Sequence, residues 1–331
     1  MLHPTQLLFF SSLMLGTLIT FSSSSWFTAW LGLELNLLSF IPIISSKFNQ
    51  YSAEASLKYF LIQALGSAII LASAPSFLLF ESSPNLLICS ALLLKMGAAP
   101  VHFWFPSVME GINWLQCIIL MTVQKMAPML MISYTYSQFT LSILFFASIM
   151  SSLVGSIGGL NQTLIRKIMA YSSINHMAWM LAAIHLNEIM WMTYFLVYSL
   201  ISSSIALIMH SQQIFHFSQL SSYNFKTPGT KMITLISFLS LGGLPPFLGF
   251  IPKWLIIQEL SNNKAFLWLF VLLASALLTL FFYLRITLST LTLSSPKIKN
   301  SLFSASSSLM SVILFINFFP IFLPLGLTLF S

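Results

Sequence analysis

The chain has very little charge for its length. Only 6% of its 331 residues are charged, and none of them is aspartate. A soluble domain carries about 25% charged residues, so this chain could not cover a water-facing surface. It is instead 57% hydrophobic, with recurring apolar runs of the ~20 residues that a helix needs to cross a bilayer. The sequence therefore predicts an all-α, multi-pass membrane protein.

The sequence also lacks the patterns of several kinds of site. Its two cysteines, Cys89 and Cys117, stand alone in apolar runs, and no Cys/His spacing resembles a metal site. The net charge of +7 comes from scattered basic residues, which form no patch for nucleic acid. The first twenty residues lack the features of a cleavable signal peptide. We expect no metal, no cofactor and no nucleic-acid partner for this chain.

Eleven spans are predicted, and their connections are too short for an extramembrane domain, so residues 1–331 are expected to form one membrane domain. Basic residues concentrate after spans 2, 6, 8 and 10, which places the N-terminus inside and the C-terminus outside. The spans lie near residues 5–22, 26–45, 54–79, 86–105, 110–135, 140–158, 163–184, 188–210, 231–258, 264–290 and 304–329. The basic loop residues are Lys47, Arg166, Lys167, Lys226, Lys231, Lys297 and Lys299.

Spans 4 and 9 each combine a lysine with helix-breaking residues. Span 4 holds Lys95 in an apolar run, and span 9 holds Lys253 after a Gly/Pro-rich stretch. Paired interruptions of this kind indicate an inverted-repeat transporter site. We therefore predict inverted five-helix repeats over about 5–135 and 140–290, followed by an extra C-terminal helix near 304–329. The predicted breaks lie at Pro100, Pro245, Pro246 and Pro252, with a further one at Pro128 in span 5.

Five ionisable side chains fall at membrane depth on five different helices. Besides Lys95 and Lys253, they are Glu34, Lys125 and His176. Such groups are costly in a bilayer and usually mark a path for ions, protons or substrate. Each also has a purely structural interpretation, because a glutamate can pair with a lysine to hold two helices together. Three further basic residues lie near span ends and can reach the interface, namely Lys47, Lys58 and Arg285.

Several long motifs resemble a known family. They are KMGAAPVHFWFP at 95–106, GGLNQTLIRKIMAYSSINHMAWM at 158–180 and LGGLPPFLGFIPKW at 241–254, with WLGLELN, EASLKYFL and VQKMAP elsewhere. These motifs are similar to the subunit 2 family of mitochondrial NADH dehydrogenase, the antiporter-like membrane subunits of respiratory complex I. The resemblance covers about residues 10–290. The eleven predicted spans match the animal form, which resembles a fourteen-helix antiporter fold without its first three helices.

The resemblance implies a proton-translocation role for each buried charge. Glu34 would be the channel glutamate and Lys95 the central lysine of the first half-channel. Lys125 would be the connecting lysine, Lys253 the lysine of the second broken helix, and His176 a bridge between half-channels. The chain would serve as a subunit of proton-translocating NADH:ubiquinone reductase without a redox centre of its own.

The resemblance also implies surroundings for the chain. NADH, FMN, Fe–S clusters and ubiquinone would be used in other subunits of the complex. The expected partners are complex I membrane subunits, with antiporter-like subunit 4 and subunit 4L as neighbours, accessory subunits, and lipids such as cardiolipin. The expected location is the mitochondrial inner membrane, with the N-terminus on the matrix side and the C-terminus on the intermembrane-space side.

The residues alone are also compatible with two other functions. A stand-alone cation/proton antiporter would use similar broken helices and would be active without partners. A purely structural membrane subunit would use its buried charges only to specify packing.

Overall fold

A computed structural model describes residues 4–45, 49–78, 83–135, 137–222 and 228–292, together with 312, 314, 315 and 317. Within these residues the chain is helical and contains no strand, which confirms the predicted all-α class. The α-helices are α1 Pro4–Phe21, α2 Trp26–Ile44, α3 Gln50–Ser73, α4 Ser83–Met96, α5 Trp104–Gly111, α6 Trp114–Met121, α7 Val123–Tyr134, α8 Gln138–Gly159, α9 Ile165–Leu186, α10 Glu188–Gln212, α11 Phe217–Ser222, α12 Pro228–Gly242, α13 Phe250–Asn262 and α14 Phe266–Thr292.

Seven stretches of helix in the described part of the chain are long and apolar enough to cross a membrane. They are Pro4–Phe21, Trp26–Ile44, Gln50–Ser73, Trp114–Tyr134, Gln138–Gly159, Glu188–Gln212 and Phe266–Leu291. The chain is therefore an integral membrane protein by length and composition, and the count of eleven spans stays a prediction. The predicted helix near 304–329 falls almost entirely outside the described residues, as do Lys47, Lys226, Lys297 and Lys299.

The chain divides into two compact units, residues 1–151 and residues 152–331. In the first unit α1 packs along α2, and α3 packs against α2, α4 and α5. In the second unit α9 packs against α10, α13 and α14, while α12 packs against α10 and α14. Close helix contact in the first unit depends on small residues: a Cβ added to Gly16 would lie 2.9 Å from the backbone nitrogen of Asn36.

Predicted spans 4 and 9 are both broken, and their first helices end in the same way. Gly97 follows α4 with φ +72° and Gly243 follows α12 with φ +76°. At the first break, the amide of Gly97 donates to the carbonyl of Leu94, and the next amide donates to the carbonyl of Leu93. The second break repeats both bonds at the equivalent positions. This is the Schellman termination, in which a glycine adopts the left-handed conformation. The peptide bonds Ala99–Pro100 and Pro245–Pro246 that follow are cis.

Span 5 is also interrupted, but not at Pro128. That proline lies inside α7, and the interruption falls at Thr122, between α6 and α7. The hydroxyl of Thr122 donates to the carbonyl of Ile118, an internal bond that bends helices. Pro252 likewise lies in the first turn of α13 rather than at a break, where a missing N–H removes no helical bond. The helix breaks predicted at Pro128 and Pro252 were therefore wrong in position.

Candidate functional site

Lys95 lies in the last turn of α4, where the helix stops inside the first unit. Its side chain is 6% exposed. Its own carbonyl accepts a hydrogen bond from Gln63 Nε2 at 3.0 Å, and the indole of Trp104 donates to the carbonyl of Leu94 at 3.1 Å. Gly66 leaves room for the lysine stem, since a Cβ there would lie 3.0 Å from Lys95 Cγ. The carbonyl end of α4 is thus capped by side chains around a buried cation.

Glu34 carries the carboxylate whose charge acts on this lysine. It lies on α2 and interacts electrostatically with the Lys95 ammonium. Its Oε2 is buried and makes no hydrogen bond within the described residues. A buried carboxylate oxygen without a donor is costly, so attraction to Lys95 is the stabilising interaction that the structure gives it. Glu34 and Lys95 thus lie in the same unit, and their coupling in proton transfer stays a prediction.

Lys125 lies near the start of α7 and is 2% exposed. Its ammonium sits 4.6 Å from the centre of the Phe105 ring, a cation–π distance. The neighbouring Gln124 fixes the helix, because its Nε2 donates to Asn36 Oδ1 at 2.8 Å and its Oε1 accepts from the hydroxyl of Tyr59 at 3.0 Å. This amide network joins α2, α3 and α7 in the unit that holds Lys95.

Lys253 lies on the helix that follows the second break, and its ammonium binds the end of the helix that precedes the break. It belongs to α13, yet its Nζ donates to the carbonyl of Gly242, the last residue of α12, at 2.9 Å. The ammonium also lies 6.0 Å from the ring of Trp179. Beside it is a largely apolar pocket of about 370 Å³, bounded on one side by α14. Gly243 allows this approach, since a Cβ there would lie 2.9 Å from Nζ.

His176 lies in the middle of α9 in the same unit as Lys253. Its Nδ1 shares a hydrogen bond of 2.8 Å with the hydroxyl of Tyr194, and its ring centre is 5.1 Å from that of Tyr198. The preceding Asn175 binds α14, accepting from Ser275 and donating to Thr279. His176 and Trp179 are close to one helical turn apart, so α9 holds the buried histidine and also contacts Lys253 through Trp179.

Several polar residues of the site did not stand out in the sequence. They are the amides and hydroxyls that hold the charged helices: Gln63, Gln124, Tyr59, Asn175, Tyr194 and Tyr198. A usable signal existed, because an amide inside an apolar run must find a partner when it is buried. Within the described residues no group of three His, Cys, Asp or Glu could hold a metal ion.

Comparison with known proteins agrees with this architecture. Residues 23–280 match the family NADH:quinone oxidoreductase/Mrp antiporter, transmembrane. The chain is 48% identical over 325 residues to NADH-ubiquinone oxidoreductase chain 2 of Anopheles gambiae, covering 94% of both chains. Two solved structures share the fold. A chain of respiratory complex I from Thermus thermophilus, solved with bound aureothin, has a TM-score of 0.83 and 24% identity over 94% of this chain and 76% of its own length. A chain of the Mrp complex from Dietzia sp. DQ12-45-1b has a TM-score of 0.79 and 18% identity, covering 88% and 61%. The chain therefore belongs to the NADH:quinone oxidoreductase/Mrp antiporter transmembrane family and, within it, to the family of NADH-ubiquinone oxidoreductase chain 2.

Proposed function

We propose that this chain, a membrane subunit of NADH-ubiquinone oxidoreductase through its family, moves protons across the mitochondrial inner membrane. The path runs over Glu34, Lys95, Lys125, His176 and Lys253. Electron transfer from NADH to ubiquinone in partner subunits supplies the energy, because each charge carried across requires about 2.3 kcal/mol per 100 mV. The N-terminus would face the matrix and the C-terminus the intermembrane space.

One observation carries this proposal: each unit buries a lysine at the carbonyl end of a broken helix. Lys95 lies in the last turn of α4, and Lys253 binds the final carbonyl of α12. The carbonyl end of a helix carries a partial negative charge that favours a cation. It therefore helps to stabilise an ammonium in an apolar surrounding, in addition to the attraction between Glu34 and Lys95 in the first unit. A lysine held this way can release a proton and take up another when a neighbouring charge changes.

The two units also share a packing pattern that supports the inverted five-helix repeats. Gly16 of α1 faces the backbone of Asn36 and Gly32 on α2. Gly155 of α8 faces the backbone of Asn175 and Tyr171 on α9. In both units the two residues that face the glycine are four positions apart. The number of residues that separates the glycine from them along the chain is also the same in the two units. Together with the matching glycine terminations, this favours repeats over about 5–135 and 140–290, with the helix near 304–329 as an addition.

The proposed partners follow from the multi-subunit assemblies in which the structural relatives occur. They are other complex I membrane subunits, among them antiporter-like subunit 4 and subunit 4L, with accessory subunits and lipids such as cardiolipin. NADH, FMN, Fe–S clusters and ubiquinone would bind elsewhere in the complex. We propose that this chain binds none of them.

The test is the Lys253→Met variant in the assembled complex, measured in sealed vesicles for NADH oxidation and for protons moved per NADH. We expect a lower proton yield in a complex that still assembles. Lys58→Met is the matched control, because Lys58 is exposed and paired with Glu54 at 2.6 Å. A wild-type yield from assembled Lys253→Met would remove that lysine from the path.

The antiporter alternative is favoured by the family match, which includes the Mrp antiporter, and by the shared fold of the Mrp chain. It is decided by reconstituting the purified chain alone in proteoliposomes. Exchange of sodium or potassium for protons without partners would support the alternative, whereas a subunit of the oxidoreductase should show none.

A further inference from the structure

An arginine lies on the exposed apolar strip of α14, a helix long and apolar enough to cross a membrane. The side chains of this strip are 57–72% exposed, and they are Phe270, Leu277, Phe281 and Leu288. Arg285 is also exposed. It comes four residues after Phe281 and three before Leu288, which places it on the same helix face. A cation therefore interrupts a surface that otherwise suits the acyl chains of lipids.

The guanidinium of Arg285 is held in place by two contacts. Its Nη1 donates to the carbonyl of Leu160, just after α8, at 3.3 Å. Its central carbon lies 5.4 Å from the centre of the Phe217 ring, a cation–π distance. A guanidinium has five N–H donors, and the bond to Leu160 uses one of them. The group is thus oriented and can still bind an anion such as a phosphate in the plane of its fork.

The ring that supports Arg285 is itself fixed by the pairing of two loops. Leu164 and His216 form an antiparallel bridge, and Phe215 and Phe217 flank His216. Residues two apart in an extended segment point to the same side. The Phe215 ring lies 4.8 Å from the guanidinium carbon of Arg166. The bridge therefore supports two arginines on neighbouring rings at one end of the second unit.

The second unit has no acidic residue near Arg285. Its sequence, residues 152–331, contains two, Glu188 and Glu259. Glu259 precedes α14, and the helix from Phe266 to Arg285 is about 28 Å long. Glu188 begins α10, whose length of about 37 Å separates it from the segment that holds Phe217. An anion that neutralises Arg285 must therefore come from outside this unit.

The surroundings of Arg285 favour a phospholipid as the source of that anion. The ligand must meet the guanidinium while it also covers the apolar neighbours Phe281 and Leu288. A phospholipid joins a phosphate to acyl chains, whereas free phosphate would leave the strip uncovered. Arg285 lies about 9 Å before the end of the apolar span at Leu291, and a long basic side chain reaches the headgroups from there. Basic residues near a membrane surface attract anionic lipids.

We propose that Arg285 binds the phosphate of an anionic phospholipid whose acyl chains lie along the apolar strip of α14. The guanidinium of Arg166 adds to the positive charge that attracts the lipid. The inference rests on the lipid contact in the proposed function and deepens it by naming the residues that make it. It does not depend on the proton path.

The test uses two photoreactive lipids, phosphatidylglycerol and phosphatidylcholine, with identical diazirine-bearing acyl chains, in vesicles that contain the assembled complex. Mass spectrometry measures how strongly each lipid labels α14 between Phe281 and Leu288. An arginine near the surface favours an anionic lipid about fivefold, so labelling of the wild type by phosphatidylglycerol should exceed that by phosphatidylcholine by about this factor. In Arg285→Gln the ratio should fall to about one. Lys264→Gln is the matched control, because it removes an exposed charge before the opposite end of α14, and it should keep the wild-type ratio.

Several results would overturn the inference. Equal labelling of the wild type by both lipids is one, and a wild-type ratio in Arg285→Gln is another. Labelling by neither lipid would show that a partner subunit covers the strip, and would also contradict the proposal. An excess of inorganic phosphate should leave the labelling unchanged, since displacement would assign the site to free phosphate.

If Arg285→Gln does not assemble, two high-resolution maps of the wild-type complex decide the question, one with phosphatidylglycerol and one with phosphatidylcholine alone. A lipid phosphate bound to Arg285 only in the first map supports the inference, and any other result overturns it. The labelling does not measure proton transfer. A wild-type proton yield from Lys253→Met would therefore remove the proposed path and leave this inference standing, whereas equal labelling by the two lipids would do the reverse.

Discussion

The Gly243→Ala substitution separates the geometry of the second helix break from its chemistry. Gly243 has φ +76°, and a Cβ there would come within 2.9 Å of both Cδ and Nζ of Lys253. A left-handed conformation costs a residue with a Cβ about 1–2 kcal/mol. The flexible end of the lysine can move aside, but the movement breaks its bond to the Gly242 carbonyl, and a hydrogen bond to a charged group contributes about 1.5–3 kcal/mol. We therefore expect lower thermal stability and a lower proton yield together.

The assay for this variant is thermal unfolding of the assembled complex alongside proton yield per NADH in sealed vesicles. Gly242→Ala is the matched control, because a Cβ on Gly242 would meet its nearest neighbour, Tyr283, at an ordinary 3.4 Å. Alanine also keeps the carbonyl that Lys253 binds. The control should behave like the wild type within about 1 kcal/mol, the helix-propensity difference between glycine and alanine. Equal behaviour of the two variants would refute the account of the break.

Two further substitutions test the packing around the charged helices. Gln124→Leu should destabilise the first unit by roughly 1–3 kcal/mol for each buried partner left without its bond, here Asn36 and Tyr59. Thermal unfolding checks this against Gln258→Leu on an exposed position of α13, and equal melting of the two would contradict it. Gly16→Ala should lower the amount of assembled complex, because a Cβ would lie 2.9 Å from both the Asn36 nitrogen and the Gly32 carbonyl. Native gel electrophoresis measures that amount, and unchanged assembly would show that α1 and α2 can separate at low cost.

Much of the fold could be predicted from the sequence, because membrane helices depend on local properties. Apolar length located the described spans, and Pro100, Pro245 and Pro246 lie in the breaks after α4 and α12, whereas the glycine terminations were seen only in the structure. The break at Thr122 could not be located, since a threonine in an apolar run carries no backbone signature. Pro128 carried the stronger local signal, yet it lies inside α7, and the interruption falls earlier in the chain, at Thr122.

The charged residues of the candidate site could be picked out from the sequence, but the residues that they contact could not. Glu34, Lys95, Lys125, His176 and Lys253 stood out because ionisable groups are rare in this chain. Their contacts depend on tertiary packing that no short pattern records. Lys253 binds a carbonyl on the other side of a loop, and the partner of His176 lies on the next helix. Both contacts link residues that are well separated along the chain.

The central claim is that the buried charges conduct protons rather than specify packing. The most direct measurement is the proton yield per NADH of the assembled double variant Glu34→Gln, Lys95→Met, which removes the interacting pair and leaves no uncompensated charge. If the pair conducts, the yield falls although the complex assembles and oxidises NADH. A wild-type yield from this neutral pair would show that the charges serve packing alone, and would contradict the account.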